Sequence, residues 1–226
     1  MFKFLLAGAI LLLGVLKEPT PPIKAVIFDF GKVIVHKDKD QILTFLKKNV
    51  GVTFEEGIQL IEERKKFLIS GGSDKEFFES IFSNRGQWMP ENFVKQFHQT
   101  WEDALYFDPK VIEIIQSLKG QNKTLILFSN TEKFRADTYT ELGYYDPFDM
   151  KFLSFEIGLE KPDEEAYKFV IENCGFKPQE CLFIDDKLCN IQAAKDLSWH
   201  TIHYLNAEQL AADLEKIGLK VDTNPN

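Results

Sequence analysis

From residue 23 onward the chain alternates two textures: short, continuously apolar runs and longer segments whose apolar residues recur every three or four positions. Ala25, Val26, Ile27 and Phe28 form the first run, which stops abruptly at Asp29. A second run over 124–128 ends in Ser129-Asn130, and a third over 181–184 ends in Asp185-Asp186. A fourth over 201–204 follows Trp199. Short runs without polar alternation are what strands buried on both faces of a parallel sheet require. Between the first and second runs the spacing is helical: Ile42, Phe45, Leu46 and Val50, then Phe54, Ile58, Ile61 and Leu68. Phe77, Phe78, Ile81 and Phe82 follow, and after them Phe93, Phe97 and Trp101. Gly51, Gly71, Gly72 and Pro90 punctuate these segments. The pattern predicts a small helical bundle over 36–107, inserted into an α/β unit that spans 23–35 and 108–226. Asp108-Pro109 restarts that unit with a helix running through Leu118, and further helices are expected over 163–174, over 191–197 and from an Asn206 N-cap. Strands alternating with helices imply a mainly parallel sheet with right-handed crossovers.

The segment before this frame has another character. Residues 4–16 are one apolar run behind Lys3. The run is shorter than the roughly 20 residues a spanning helix needs and suits the core of a secretory signal peptide. No small-x-small cleavage site follows, because the run meets Lys17, Glu18 and Pro19. Two readings stay open: export or membrane anchoring through residues 1–16, or a cytoplasmic protein with an unusual leader. Residues 1–22 are set aside as leader and proline linker, and membrane contact is expected only there.

Composition narrows the function classes. A 44% hydrophobic and 13% aromatic content supports a packed globular protein. The formal charge of −8, with no dense basic run, argues against nucleic-acid binding, which draws mainly on Lys and Arg. Cys174, Cys181 and Cys189 have no zinc spacing and read as small apolar residues in a reduced protein.

The residues that close the strands carry the candidate chemistry. In open α/β sheets ligands bind beyond the carboxyl ends of the strands, which is where Asp29, Ser129 and Asp185/Asp186 fall. Asp29 precedes the turn Phe30-Gly31-Lys32, whose main-chain N–H groups can cradle oxyanions. Ser129 and Asn130 offer a hydroxyl and an amide, with a helix N-terminus expected near Thr131. Lys161 sits in Gly158-Leu159-Glu160-Lys161-Pro162-Asp163, a rigid turn before a helix. Adjacent carboxylates at 185 and 186 repel unless a cation or hydrogen bonds offset them, and hard oxygen ligands suit Mg2+. Singly, each has an ordinary explanation: a turn cap, an N-cap, a solvated lysine.

Together, Asp29-Phe30-Gly31-Lys32-Val33-Ile34, Ser129-Asn130-Thr131, Gly158 through Asp163 and Asp185-Asp186 with Asn190 resemble the ordered motifs of the haloacid dehalogenase superfamily. The likeness covers about residues 24–205, closest in flavour to sugar-phosphate phosphatases and the phosphatase domain of soluble epoxide hydrolases. It implies a Rossmann-like, mainly parallel sheet core with an inserted helical-bundle cap, and a Mg2+-dependent phosphoric monoester hydrolase. Asp29 would be nucleophile and metal ligand, and Gly31 would lend a carbonyl to the metal. Ser129, Asn130 and the turn at Phe30 and Gly31 would hold phosphate, and Lys161 would neutralise charge. Asp186 would ligate the metal, with Asp185 beside it and Asn190 in support. The implied partner is a small phosphorylated substrate, and no motif selects an oligomeric state.

One departure matters. Phosphatases of this superfamily usually carry an Asp two residues after the nucleophile as general acid and base, and here that position is Gly31. General acid catalysis is worth about 10²–10⁴. His36 is a candidate substitute, and Lys32 is an unusual neighbour for a phosphate site. Two alternatives therefore stand beside the phosphatase: a dehalogenase-type hydrolase with the same nucleophile, or a non-catalytic phosphate- or partner-binding relative. An aromatic set of Phe67, Phe77, Phe78, Trp88 and Trp101 hints at an apolar wall for substrate, against the commoner role of such residues as core.

Overall fold

The computed structural model describes residues 22–221, so the apolar leader and its prolines at 19 and 21 lie outside the described residues. In chain order the elements are β1 (Ala25–Phe28), β2 (Val35–Lys37), α1 (Lys39–Val50), α2 (Phe54–Ile69), α3 (Asp74–Asn84), α4 (Phe93–Asp103) and β3 (Leu105–Phe107). There follow α5 (Pro109–Gly120), β4 (Thr124–Ser129), α6 (Lys133–Glu141), β5 (Met150–Leu153), α7 (Ser154–Ile157) and α8 (Glu164–Cys174). The chain continues through β6 (Cys181–Asp185), α9 (Leu188–Asp196), β7 (His200–His203) and α10 (Ala207–Lys216).

Five strands pair in parallel in the order β5-β4-β1-β6-β7. β1 can occupy the centre because all of its residues are apolar and fully buried. Side chains alternate across a strand, so Val26 and Phe28 face the cluster built with α5 and α10, and Ala25 and Ile27 face that built with α8 and α9. The strand order reverses at β1, and that reversal opens a crevice at the carboxyl edge where Asp29, Ser129 and Asp185 emerge. The helix starts at Pro109 and Ala207 are capped by Asp108 and Asn206, each accepting a main-chain N–H. β5 has no counterpart among the apolar runs. It is an edge strand whose Met150 and Lys151 are exposed, so only half of it is apolar and buried.

Helices α1 to α4 stand on the antiparallel ribbon β2-β3, in which Val35 faces Phe107 and Lys37 faces Leu105. They close round a core of their own in which Phe78 packs edge-on against Phe93 and Phe97, at centroid distances of 4.9 and 4.8 Å. Two helix starts are fixed by reciprocal capping boxes, Thr53 with Glu56 and Ser73 with Glu76.

The α2 stripe is a correction. Phe54, Ile58, Ile61 and Leu68 have core spacing, yet Phe54 and Ile58 are 43% and 52% exposed while Gly57, Leu60 and Arg64 face inward. Gly57 lets α2 lie close on α1, since a Cβ there would come within 2.9 Å of Leu43 Cδ2. Arg64 is drawn inward by Asp74, which it grips with two guanidinium nitrogens. The aromatic set divides too: Phe77 and Phe78 are core, Trp88 is 96% exposed, and only Trp101 borders the crevice.

Candidate active site

Lys161 organises the floor of the crevice. Its ammonium donates to Asp29 Oδ1 at 2.8 Å, Asp185 Oδ2 at 2.8 Å and the Phe128 carbonyl at 2.7 Å, which uses all three N–H groups. The lysine is only 5% exposed, over the rings of Phe128 and Phe183. Its placement comes from Asn130, whose amide donates to the Lys161 carbonyl and accepts from the Lys161 N–H, at 2.8 and 2.9 Å. A charge that deep is tolerable because its partners are charged and complete.

Asp185 is fully buried and fully bonded. Besides Lys161 it accepts from the Lys187 main-chain N–H at 2.8 Å and from the Asn190 amide at both oxygens. Asp29 is the freer carboxylate, fixed by Lys161 on one oxygen and facing the Phe30 main-chain N–H. Burial pushes its carboxyl upward, Lys161 opposes this, and the charge of Asp185 adds to it. The Phe30 ring itself is core, packed on Tyr139 and Tyr145. After Gly31 the turn is tight: Ile34 and Val35 both donate to the Phe30 carbonyl, and Lys32 adopts φ +65°.

The donor set fits a hard divalent cation. Carboxylate oxygens of Asp29, Asp185 and Asp186 lie within 4.8 Å of one another. One oxygen of Asp186 is buried without any hydrogen-bond partner, an expensive condition that a cation would remove. The other sits 3.4 Å from Lys32 Nζ. His203, which the sequence reading passed over, approaches the Asp186 carbonyl at 3.0 Å.

These groups open into a cavity of about 470 Å³ between the sheet edge and helices α1, α2 and α4. Asp29, Gly31, Ser129, Asn130, Lys161 and Asp186 all line it. Ile42, Leu43, Ile58 and Ile61 give it an apolar side, so the exposed stripe of α2 faces this space. Seven basic side chains line the cavity against three carboxylates, although the chain as a whole carries −8. Of these groups Lys37, Lys39, Lys65 and Arg135 had no signal in the sequence. They come singly from four elements, and a lone cation on a helix reads as a solvated one.

The helix expected near Thr131 begins at Lys133 with Glu132 as its N-cap; no side chain caps that terminus, and the Thr131 N–H donates to Ser154 Oγ. One expectation is corrected. His36 does not line the cavity; it stacks on Tyr106 in the β2-β3 ribbon. Cys174 and Cys181 are buried as expected, whereas Cys189 is exposed.

A parallel sheet that gathers an acidic triad and a buried lysine at one edge matches a defined class. The model of the haloacid dehalogenase-like hydrolases aligns with residues 23–197, and the chain belongs to that family. It is similar to the D-ribitol-5-phosphate phosphatase of Bacteroides thetaiotaomicron, 28% identical over 213 residues, which is 86% of this chain and 98% of the relative. Flavin mononucleotide hydrolase 1 of Arabidopsis thaliana is 29% identical over 109 residues, 48% of this chain and 44% of that one. The rat bifunctional epoxide hydrolase 2 is 25% identical over 176 residues, 74% of this chain, and the match spans only 29% of that protein. A solved haloacid dehalogenase family enzyme of B. thetaiotaomicron, in complex with magnesium and inorganic phosphate, superposes with TM-score 0.61 at 25% identity, over 80% of this chain and 93% of that one.

Proposed function

We propose that this chain is a Mg2+-dependent phosphatase that hydrolyses a small phosphorylated metabolite through an aspartyl-phosphate on Asp29, with residues 36–107 as a cap over the site. The observation that carries the reading is the buried Lys161 ammonium tying Asp29 to Asp185, next to an Asp186 oxygen with no partner. Asp29, Asp186 and the Gly31 carbonyl would hold Mg2+, with Asp185 supporting them. When bound, the ion supplies charge neutralisation that lets an anionic nucleophile approach an anionic ester.

The chain's own residues then divide the work. The Asp29 oxygen not held by Lys161 attacks phosphorus, the new O–P bond forms and the ester O–P bond breaks. Lys161 opposes the burial that raises the Asp29 carboxyl, and offsets charge on the phosphoryl group. Ser129, the Asn130 main chain and the turn amides of Phe30 and Gly31 hold the equatorial oxygens. Water attacks the acyl phosphate, releasing inorganic phosphate and restoring Asp29. Position 31 offers no proton donor, so the leaving group takes its proton from water, and substrates with stable leaving groups are favoured. A dehalogenase has no use for the orphaned Asp186 oxygen, which weighs against that alternative.

The test is a phosphatase panel of sugar phosphates, nucleotides and cofactor phosphates, run with Mg2+ and with chelator, on wild type and Asp29→Asn. Turnover that needs both Mg2+ and Asp29 is expected. Phosphate release that survives chelation or the substitution overturns the proposal, and a silent panel with retained ligand binding selects the non-catalytic alternative.

A further inference from the structure

The cap side of the cavity gathers basic groups round one indole. Lys37 Nζ lies 3.4 Å from the Trp101 ring centroid, and the guanidinium carbons of Arg135 and Arg64 lie at 5.2 and 5.3 Å. An aromatic face is a favourable seat for one cation, but three such groups repel each other. Their counter-charges are unequal. Arg64 is gripped by Asp74, and Arg135 reaches Glu132 at 3.3 Å. No carboxylate among the described residues pairs with Lys37, nor with Lys39 and Lys65 on the same cavity wall.

The floor needs none of these groups, because Lys161 already serves Asp29 and Asp185. A cavity of about 470 Å³ also holds far more than one phosphate. Burial, then the charges of Arg135 and Arg64, push the Lys37 amine down to about 6; Lys39 adds to this and Glu132 opposes it. Burial and like-charged neighbours both disfavour the protonated amine, and an anion beside it would stabilise that form. Arg135 adds a planar fork suited to phosphate or carboxylate oxygens.

We infer that Lys37 and Arg135 form a second anion subsite, and that the substrate is a phosphate ester whose leaving group carries another oxyanion, phosphate or carboxylate, across an apolar segment. Ile42, Leu43, Ile58 and Ile61 supply the apolar contact for that segment. The identity of the cleaved phosphate rests on the phosphatase reading; the existence of the subsite does not.

Binding separates the two claims. The probes are alkane-α,ω-diol bisphosphates from propyl to octyl, each against the alkyl monophosphate of equal length. They are titrated calorimetrically with Mg2+ into full-length Asp29→Asn, where hydrolysis cannot interfere. The best bisphosphate should bind at least about tenfold tighter than its monophosphate, as one desolvated charge-assisted contact allows. That ratio should collapse to about threefold or less in Lys37→Met and Arg135→Met, return in Lys37→Arg and persist in the remote control Lys168→Met. Thermal melts report that each variant is folded. Equal affinities at every chain length, or a ratio that survives both methionine substitutions, overturn the subsite. The phosphatase reading fails separately, by the absence of Mg2+- and Asp29-dependent turnover on the substrate panel, because the binding ratio is read independently of hydrolysis.

Discussion

The floor and the roof of one cavity handle charge in opposite ways. On the floor, Lys161 has three acceptors, Asp185 has a donor for each oxygen, and Asp29 keeps one oxygen free for work. On the roof, Lys37 sits between two arginines with a single glutamate nearby. A complete network pre-sets geometry before substrate arrives. An incomplete one disfavours the charged form of Lys37 until a counter-charge arrives. The contrast teaches that two lysines lining the same cavity have opposite relations to stability.

Substitution can break that contrast, most severely at the floor. Lys161→Met leaves Asp29 and Asp185 buried side by side without a counter-charge. Breaking a buried ion pair this way costs about 3–5 kcal/mol, so denaturant melts should show a large loss, and turnover should fall by about 10³ or more. A variant as stable as wild type would mean that the network is not complete.

A smaller effect of opposite sign is expected at position 31. A Cβ there meets nothing within 4 Å, and Gly31 is not among the residues of positive φ. Gly31→Asp should therefore fold and supply the absent proton donor. It should raise kcat on alkyl phosphates by about 10–10² while scarcely changing p-nitrophenyl phosphate, whose leaving group needs no proton. An equal change on both substrates would show that the residue acts by other means.

The gentlest test is on the roof. Lys37 titrates near 6 in the folded chain against its ordinary 10.5. Between those values the unfolded chain binds the extra proton, so this group's contribution to stability rises with pH and is least favourable at pH 6 and below. Lys37→Met should raise Tm, by about 2–4 °C for each kcal/mol gained, with the largest gain near pH 6 and little by pH 10. Loss of Tm at pH 6 would show that Lys37 is charged and paired after all.

What the sequence disclosed follows from where information is local. β1, β4 and β6 are continuous apolar runs ending in polar residues, so the strands and the residues they deliver were legible together. Asp108 and Asn206 announced their helices because an N-cap acts within three residues of itself. β5 was hidden by its exposed half, and the orientation of α2 was set by Gly57 and by Arg64 reaching Asp74 in the next helix. The cap-side cations were illegible for the same reason. Lys37, Arg135 and Trp101 lie on β2, α6 and α4, and only the folded chain brings them round one ring.

The central claim is that Asp29 becomes phosphorylated. Acid-quenched turnover followed by mass spectrometry of the peptide that carries residue 29 tests it directly. The account predicts a phosphorylated peptide that appears only with Mg2+ and substrate and is absent in Asp29→Asn. Steady phosphate release with no covalent label at residue 29, or a label on another residue, would contradict it.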